Sequence, residues 1–343
     1  MAQVSLALFG VGRWGTHLLR NFLAHPQVTV RAVVDPYEAQ LQKTAQQFEL
    51  GAEVALLTDW EAVWNLEGLT AVAIATPAAT HFDLVSAALA RGLAVLVEKP
   101  LTLSTATSNQ LCQLAENQIL MVDHTYLFHP VVQTGKTALT QVGRPRYGYA
   151  TRTHLGPVRF DVDALWDLAI HDIAIFNHWL GEQPTQVQAH GLGWQQPQAK
   201  QPPLFPQGLA DVVWARLRYP SGFEAVIHLC WANPDKQRRL CVVGDQGTLI
   251  FDEMRSDQPL TLQQGHFEQQ QGRFIPSGLA TQPVATPPAE PLTQMCDHFV
   301  QCIQRGEPSA VSSGSVGTAL VQVLEGLSQS LNQDGQWVRL ELP

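Results

Sequence analysis

Short apolar runs alternate with stretches of helical periodicity over the first 123 residues. Apolar runs without polar alternation are typical of strands that are buried on both faces, as in parallel sheets. The pattern predicts a doubly wound α/β domain with a parallel sheet. The predicted strands are 4–9, 28–35, 71–75, 94–98 and 119–123, and the predicted helices are 38–48, 80–90 and 104–117, with a short helix begun by the capping-box pattern Thr58-Asp-Trp-Glu61.

After residue 123 the pattern changes to strands in which polar and apolar positions alternate, as expected of an antiparallel sheet. Two hairpins are predicted, 211–231 and 239–252, because turn-forming residues separate their strands. We therefore expect two domains, 1–123 and 124–343, the second of the α+β class with an open, mostly antiparallel sheet. Its other predicted elements are helices 130–139, 165–181, 295–305 and 316–331, strands 186–191 and 337–342, and Gln- and Pro-rich loops 195–207 and 269–291.

Composition and charge exclude several classes of partner. The net charge of −9, without a basic cluster, argues against binding to nucleic acid or to an anionic membrane. No apolar segment approaches the length that spans a bilayer. The five cysteines lack metal or disulfide spacing, and the N-terminal apolar run is too short for a signal peptide. We expect a cytoplasmic protein with reduced thiols.

A Gly-x-Gly-x-x-Gly motif joins the first predicted strand to a helix. In this setting Gly10 permits a tight turn, Gly12 lets backbone N–H groups approach a pyrophosphate, and Gly15 lets the helix lie close to the strand. The helix N-terminus adds unpaired donors and a partial positive charge. A plain strand-to-helix turn is the alternative, but the next strand supports the dinucleotide interpretation.

That second strand ends in Asp35, twenty residues after Gly15. An acid at this position accepts hydrogen bonds from an adenosine ribose, and its charge repels a 2′-phosphate. The sequence therefore predicts NAD as the cofactor, with NADP as the alternative.

Two further strand ends carry polar residues, at Thr76-Pro77 and at Glu98-Lys99-Pro100. Ligands of doubly wound folds bind outside the carboxyl ends of the strands. A lone lysine after a strand is usually only solvated. Beside a nicotinamide, however, Lys99 would bind a substrate oxygen and stabilise the alkoxide that develops during hydride transfer.

The helix 165–181 carries Asp167 and His171, which are four residues apart and therefore on one face. A helix-stabilising pair is the structural interpretation. The helix is apolar all round, however, and burial of both groups without a role would be costly. In a cleft against the cofactor domain, His171 would act as a general acid or base. Asp167 would orient the His171 ring or bind a substrate hydroxyl.

Metal and hydrolase chemistry have no support in the sequence. His171, Asp172 and His178 lack an evident further ligand, and no His-Glu-x-x-His or Cys-x-x-Cys pattern occurs, so no metal site is expected. The serine nucleophile motif Gly-x-Ser-x-Gly is absent as well.

These motifs together resemble the glucose–fructose oxidoreductase/inositol dehydrogenase (Gfo/Idh/MocA) family nearly end to end. The resemblance implies an NAD(P)-binding Rossmann domain over 1–123 and a substrate-binding domain over 124–343 that often builds oligomers, here a dimer or tetramer. It implies reversible NAD(P)-dependent oxidation of a secondary alcohol on a sugar, polyol or related ring. The motifs that carry it are Gly10-Val-Gly-Arg-Trp-Gly15, Ala75-Thr-Pro77 with His81, Glu98-Lys-Pro100, Asp167-x-x-x-His171-Asp172, and Glu290-Pro-Leu292 with Phe299.

The resemblance also implies residue roles. Lys99 lies between nicotinamide and substrate, His171 accepts the proton, and Asp167 assists His171; all three also contact substrate. The cofactor side takes Arg13, Trp14, Thr76, Pro77, His81 and Glu98, in addition to Gly10, Gly12, Gly15, Asp35 and Lys99.

Within the family, the segments 124–130 and 152–157 look most like the sugar-nucleotide branch, which implies substrate contacts from Tyr126 and Arg152 and an anion-facing Arg159. Asp163 and Ile170 depart from that branch, where Asn and Pro are usual. Two alternatives stay open: an inositol or polyol dehydrogenase, and a non-catalytic NAD-bound sensor. The retained Lys99, Asp167 and His171 count against a sensor.

Overall fold

The computed structural model describes residues 3–196, 205 and 208–341. The chain forms two compact units, the first made of residues 1–128 and 289–321 and the second of residues 129–288 and 322–343.

The first unit holds a six-stranded parallel sheet in the order β3-β2-β1-β4-β5-β6. The order reverses between β1 and β4, which is the topological switch point where such sheets bind ligands. The doubly wound prediction is confirmed. The strands are β1 Val4–Phe9, β2 Val28–Val34, β3 Ala55–Leu57, β4 Ala71–Ile74, β5 Ala94–Glu98 and β6 Leu120–Asp123, and the helices before residue 128 are α1 Arg13–Ala24, α2 Glu38–Phe48, α3 His81–Leu89 and α4 Thr105–Leu114, with 3₁₀ helices Trp60–Asn65, Ala78–Thr80 and Thr125–Phe128.

Side-chain caps fix where two of these helices begin. Ser104 caps α4, because its hydroxyl accepts the Ala106 N–H at 3.2 Å. The capping box predicted at 58–61 is a different cap: Asp59 Oδ1 accepts the Glu61 N–H at 2.9 Å, and the helix it starts is of the 3₁₀ type.

A late segment of the chain returns to the first unit. Helix α7, Pro291–Arg305, packs on α1 through an edge contact of Phe299 with Phe22, whose ring centroids are 6.4 Å apart. Ser312 then binds β6, since the Val122 N–H donates to its carbonyl at 3.0 Å. Residues 289–321 therefore differ from the prediction that placed the whole of 124–343 in one domain, and the first unit itself extends to Phe128. Helix α8, Gly314–Asn332, begins in the first unit and ends in the second.

The second unit holds a nine-stranded sheet in the order β14-β13-β12-β11-β7-β10-β9-β8-β15. Neighbouring strands are antiparallel except for the parallel pair β7 and β10. The predicted open, mostly antiparallel sheet is confirmed. The strands are β7 Pro145–Leu155, β8 Gln186–Leu192, β9 Val212–Arg218, β10 Glu224–Cys230, β11 Ala232–Gly244, β12 Gly247–Asp252, β13 Leu260–Gln270, β14 Arg273–Pro283 and β15 Val338–Arg339, and the helices are α5 Pro130–Ala138, a 3₁₀ helix Leu139–Val142, a π-helical turn Leu165–Ala169 and α6 Ile170–Leu180.

Three strands of this sheet depart from the sequence analysis: β7, β13 and β14. Strand β13 was not predicted, and its last residues, 269–270, fall in the predicted loop 269–291. The central strand β7 was not predicted, because its inward positions include Gly148 and Arg152 in place of large apolar residues. The loop predicted over 269–291 is wrong for residues 273–283, which form β14 and pair with β13. Main-chain pairing does not require apolar side chains, so a Gln- and Pro-rich composition misleads here.

The last predicted strand, 337–342, is shorter in the structure and covers Val338–Arg339, while Leu342 lies outside the described residues. Residues 197–204, 206 and 207 of the predicted loop 195–207 also lie outside them. No helix within the described ranges combines the length and apolarity needed to cross a membrane.

Candidate active site

The glycine turn after β1 is built on a very close backbone approach. A Cβ placed on Gly15 would lie 1.9 Å from the carbonyl oxygen of Gly10. Gly10 has φ +84°, a left-handed conformation that favours glycine. Its N–H donates to Val34 O at 2.7 Å, which ties the turn to β2. Both glycines are therefore required by the fold itself.

Gly12 is different, because a Cβ there would meet no atom within 4 Å. Its φ of −65° is open to any residue, and it gives the N-terminus of α1 no side-chain cap. The helix N-terminus therefore begins beside open space, and no side chain of its N-cap residue binds the first-turn N–H groups. A bare, uncapped helix N-terminus of this kind fits a pyrophosphate. Next to it, Arg13 and Trp14 are exposed, with the Trp14 ring edge-on to His17.

Asp35 fastens the turn from the neighbouring strand. Its Oδ2 accepts the Val11 N–H and its Oδ1 accepts the Tyr37 N–H, each at 3.0 Å. Gln40 adds a bond from its side chain to Val11 O at 2.7 Å. An ionised carboxylate offers about four acceptor positions, so capacity for a ribose hydroxyl remains. The fastening role of Asp35 was not predicted from the sequence.

The loops after β4 and β5 are joined by His81. Its ring is buried, and its two nitrogens lie 2.9 Å from Thr76 O and from Pro100 O. His81 therefore positions these loops rather than presenting a surface to a ligand. Thr80 adds a bond from its hydroxyl to the Thr76 hydroxyl at 2.7 Å, while Pro77 is exposed. The Lys99–Pro100 peptide bond is cis.

Charged and polar groups cluster around Lys99 at the ends of β5 and β6. The half-buried Lys99 follows Glu98, which pairs in register with Asp123 of β6. Burial, and next the nearby Lys99, lower the pKa of His124 to about 3, so its ring is neutral. Ser312 donates its hydroxyl to Val122 O at 2.7 Å, and His124 Nδ1 therefore donates to Ser312 Oγ at 2.7 Å. Tyr126 lies just beyond, in the 3₁₀ turn.

In the second unit, Asp167 lies in the π-helical turn Leu165–Ala169 that precedes α6. Such widened turns are rare and are frequent at functional sites. Arg159 binds Asp161 through two nitrogens, at 2.8 and 2.6 Å, and reaches Asp167 Oδ1 at 3.4 Å. The guanidinium thus lies beside the carboxylate predicted to assist His171, a contact that the sequence analysis did not anticipate.

Helix α6 is anchored to β7 by a buried ion pair. Arg152 donates from Nε and Nη2 to the two carboxylate oxygens of Asp172, both at 2.9 Å. The Arg152 and Asp172 side chains are 5% and 3% exposed. This bidentate geometry commits much of the Arg152 guanidinium to Asp172, the residue next to His171. The structure therefore gives Arg152 a positioning role under the helix.

Asp163 caps the start of the same helix, where its Oδ1 accepts the Trp166 N–H at 3.0 Å. Burial raises the pKa of this carboxyl to about 7, even though backbone hydrogen bonds from Trp166 and Leu165 oppose the shift. Asp163, one of the two residues that depart from the pattern implied by the sugar-nucleotide branch, is thus a buried helix cap.

The structure gathers the predicted residues at two places. The residues predicted for the cofactor side lie at the carboxyl edge of the first sheet. In the second unit, Asp167 and His171 lie at the start of α6, where Arg152 of β7 binds Asp172. In the chain as described, no group of three or more His, Cys, Asp or Glu side chains could hold a metal ion.

A Rossmann sheet with a bare helix N-terminus, a strand-end lysine and a second antiparallel unit defines a dinucleotide-binding oxidoreductase. Residues 4–126 match the model of an oxidoreductase family with an NAD-binding Rossmann fold, and residues 137–250 match the Gfo/Idh/MocA C-terminal domain. The chain belongs to the Gfo/Idh/MocA oxidoreductase family. The resemblance drawn from the sequence and the predicted NAD cofactor are confirmed.

Similar proteins include the scyllo-inositol 2-dehydrogenase (NAD⁺) of Bacillus subtilis, 27% identical over 264 residues that cover 74% of this chain and 75% of that protein. The UDP-N-acetylglucosamine 3-dehydrogenase of Acidithiobacillus ferrooxidans is 29% identical over 195 residues, 56% of this chain and 59% of that one. A crystal structure of an oxidoreductase from Magnetospirillum magnetotacticum is 30% identical, with a TM-score of 0.77 over 94% of this chain and 99% of that chain.

The two kinds of glycine predict opposite substitution effects. Gly12→Ala should leave the melting temperature unchanged, because its Cβ meets no atom of the protein, and should weaken NADH binding about tenfold or more, because the proposed pyrophosphate site lies beside it. Gly15→Ala should destabilise the protein by at least about 2 kcal/mol, because its Cβ meets Gly10 O. Thermal melts and NADH fluorescence titrations measure both. An unaltered NADH affinity in Gly12→Ala would refute the assignment of Gly12 to ligand binding and of Gly15 to the fold.

The Asp163→Asn variant should become more stable than the wild type as the pH rises. Asn keeps the acceptor for the Trp166 N–H but never ionises. The pKa of Asp163 in the folded protein, about 7, lies above its ordinary value of 3.8, so the native carboxyl contributes its full stability in acid and loses it as the pH rises through 7. The variant should match the wild type near pH 4 and exceed it by about 1–3 kcal/mol at pH 8 in denaturant titrations. A pH-independent difference would contradict the argument.

Proposed function

We propose that this protein catalyses reversible hydride transfer between NAD and a secondary hydroxyl of a sugar or sugar nucleotide. The observation that carries the proposal is the place of the chemically suited residues within each unit. Lys99 follows directly after a buried strand of the dinucleotide-binding unit, Asp167 lies in a π-helical turn of the second unit, and His171 follows that turn in α6. The names of the two curated relatives support it, since both are dehydrogenases of ring hydroxyls.

Each residue has a part that its chemistry suits. The N-terminus of α1 beside Gly12 holds the pyrophosphate, and Asp35 holds the adenosine ribose. NAD, when bound, supplies the acceptor for the hydride. His171 takes the hydroxyl proton as general base, and Lys99 stabilises the negative charge that develops on the substrate oxygen. Asp167 orients His171.

Arg159 and Tyr126 are the groups we propose for substrate contact beyond the reacting hydroxyl. Arg159 is about one-third exposed at its side chain, so it can bind an anionic group while it holds Asp161. Arg152 affects substrate binding indirectly, because it anchors the helix that carries His171. An anionic substrate such as a sugar nucleotide would use this cation, whereas a neutral inositol would not.

An inositol or polyol dehydrogenase is the second candidate, and the Bacillus subtilis relative favours it. A non-catalytic sensor is a third and would need no acid–base residue. The retained Lys99, Asp167 and His171 weigh against the sensor.

We further propose that the second unit binds substrate and builds a homo-oligomer, a dimer or tetramer. Exposed aromatic side chains on its strands support this, among them Tyr147 and Trp214, the latter stacked on His228 at 5.5 Å. All five cysteines are free thiols, which suits a reducing, cytoplasmic compartment. NADP stays the alternative cofactor.

Purified protein should reduce NAD in the presence of one substrate class, as followed by NADH absorbance. Lys99→Ala or His171→Ala should lower kcat by about 10²–10⁴-fold, the range for a general base or a charge-stabilising group. NADH affinity should stay nearly unchanged. Glu116→Gln, an exposed change in the same unit as Lys99, is the matched control. Unchanged turnover in both variants would refute the catalytic roles assigned to Lys99 and His171.

The substrate panel separates the candidates. Turnover of UDP-amino sugars but not inositols supports the leading proposal, and the reverse result supports the polyol dehydrogenase. NADH binding without turnover of either class, or of keto-sugars in the reverse direction, would favour the sensor.

Asp35→Asn should reduce the preference for NAD over NADP about tenfold or more, since the charge that repels a 2′-phosphate is lost. Asn retains an acceptor for one of the two backbone N–H groups, and Asp35→Ala retains none. The alanine variant should therefore lose more melting temperature than the asparagine variant. An unaltered ratio of NAD and NADP dissociation constants in both variants would remove Asp35 from cofactor selection.

A further inference from the structure

Glu98 and Asp123 form a buried carboxyl pair at the end of the parallel sheet. They are the last residues of β5 and β6 and lie directly opposite one another in register. Their exposed fractions are 9% and 2%. Two carboxyl groups in this position cannot both stay ionised without a large electrostatic cost.

The hydrogen bonds of the pair leave one oxygen on each side without a donor. Glu98 Oε2 accepts the Lys99 N–H at 3.3 Å, and Asp123 Oδ1 accepts the Thr125 hydroxyl at 2.5 Å. The other two oxygens, Glu98 Oε1 and Asp123 Oδ2, are buried, and no donor among the described residues reaches them. A proton on one carboxyl turns it into a hydrogen-bond donor to the other.

The surroundings indicate which carboxyl carries that proton. The Thr125 hydroxyl donates to Asp123 Oδ1, and a donated hydrogen bond favours the ionised form, so we assign the negative charge to Asp123. Burial, followed by the neighbouring Asp123, raises the pKa of Glu98 well above its usual range. Burial raises the pKa of Asp123 as well, but its hydrogen bonds with Thr125 and with Glu98 oppose that shift, whereas the bond with Asp123 adds to the shift of Glu98, as expected when Glu98 donates.

The charged and titratable groups that face the pair are few. Lys99 is the nearby cation and lowers the pKa of both carboxyls. His124 is neutral, and the buried Cys296 thiol on α7 stays protonated because burial, then Asp123, raises its pKa well above the usual range. With one proton on the pair, its single negative charge balances Lys99.

We propose that Glu98 and Asp123 share one proton in the free protein and release it to solvent when oxidised NAD binds, but keep it when NADH binds. The release rests on the proposed placement of the nicotinamide beside Lys99. The oxidised ring brings a second positive charge, which two ionised carboxylates balance, and the reduced ring brings none. The proton is the only species exchanged. NAD⁺ affinity should therefore rise by up to about tenfold per pH unit below the pKa of the pair, while NADH affinity should not.

Infrared difference spectroscopy tests the shared proton without any cofactor. All variants carry Asp163→Asn, because Asp163 is a second buried carboxyl with a raised pKa. Near neutral pH the parent should show the C=O band of a protonated carboxyl, Glu98→Gln should lose it, and Glu116→Gln should keep it. The amide introduced by Glu98→Gln can donate to Asp123, so the fold should persist. No band in the parent, or a band unchanged in Glu98→Gln, overturns the shared proton.

Calorimetric binding in buffers of different ionisation enthalpy counts the protons released. The wild type should release up to one proton with NAD⁺ and close to none with NADH, whereas Glu98→Gln should release none with either. Equal counts for NAD⁺ and NADH in the wild type overturn the coupling even if Glu98→Gln does not fold. If the infrared result holds and the counts are equal, the placement of the nicotinamide fails and the shared proton stands.

Discussion

The close approach of Gly15 to the carbonyl oxygen of Gly10 is the constraint on which the first unit depends. It sets α1 against the end of β1 and leaves the N–H groups of the first helical turn bare at Gly12. Asp35 and Gln40 hold the turn from β2 and α2, so the helix N-terminus proposed for the pyrophosphate and the carboxylate proposed for the ribose belong to one hydrogen-bonded unit. Each of these contacts involves a backbone group of the turn, so together they tie the turn to both neighbouring elements.

Much of this edge could be predicted from the sequence, since parallel strands all end on the same side. Asp35, Thr76 and Lys99 were found simply as polar residues that follow apolar runs. Asp123 meets the same criterion, yet its partnership with Glu98 depends on β5 and β6 being neighbours in register, which no local pattern states. The support given by His81 is hidden for the same reason, because it needs the folded positions of Thr76 and Pro100.

The features of the fold that could not be predicted from sequence patterns depend on contacts between distant residues or on buried polar groups. The return of 289–321 to the first unit rests on contacts such as that of Phe299 with Phe22, and nothing local in α7 reveals its partner. Strand β7 was missed because a buried arginine takes the place of an apolar residue. That arginine is stable only through Asp172, which comes twenty residues later in the chain. A strand with a buried charge is therefore not recognised from its sequence pattern unless the counter-ion is known.

The departure at Asp163 bears on helix stability rather than on the choice of substrate. The side chain is 2% exposed and its oxygen caps the turn that carries Asp167, so it offers a ligand no surface. Asn would make the same cap without the cost of a buried charge at high pH. The presence of Asp163 therefore does not count against a sugar-nucleotide substrate. It depends instead on whether Arg159, which has exposed surface and a carboxylate on either side, binds an anionic group of the substrate.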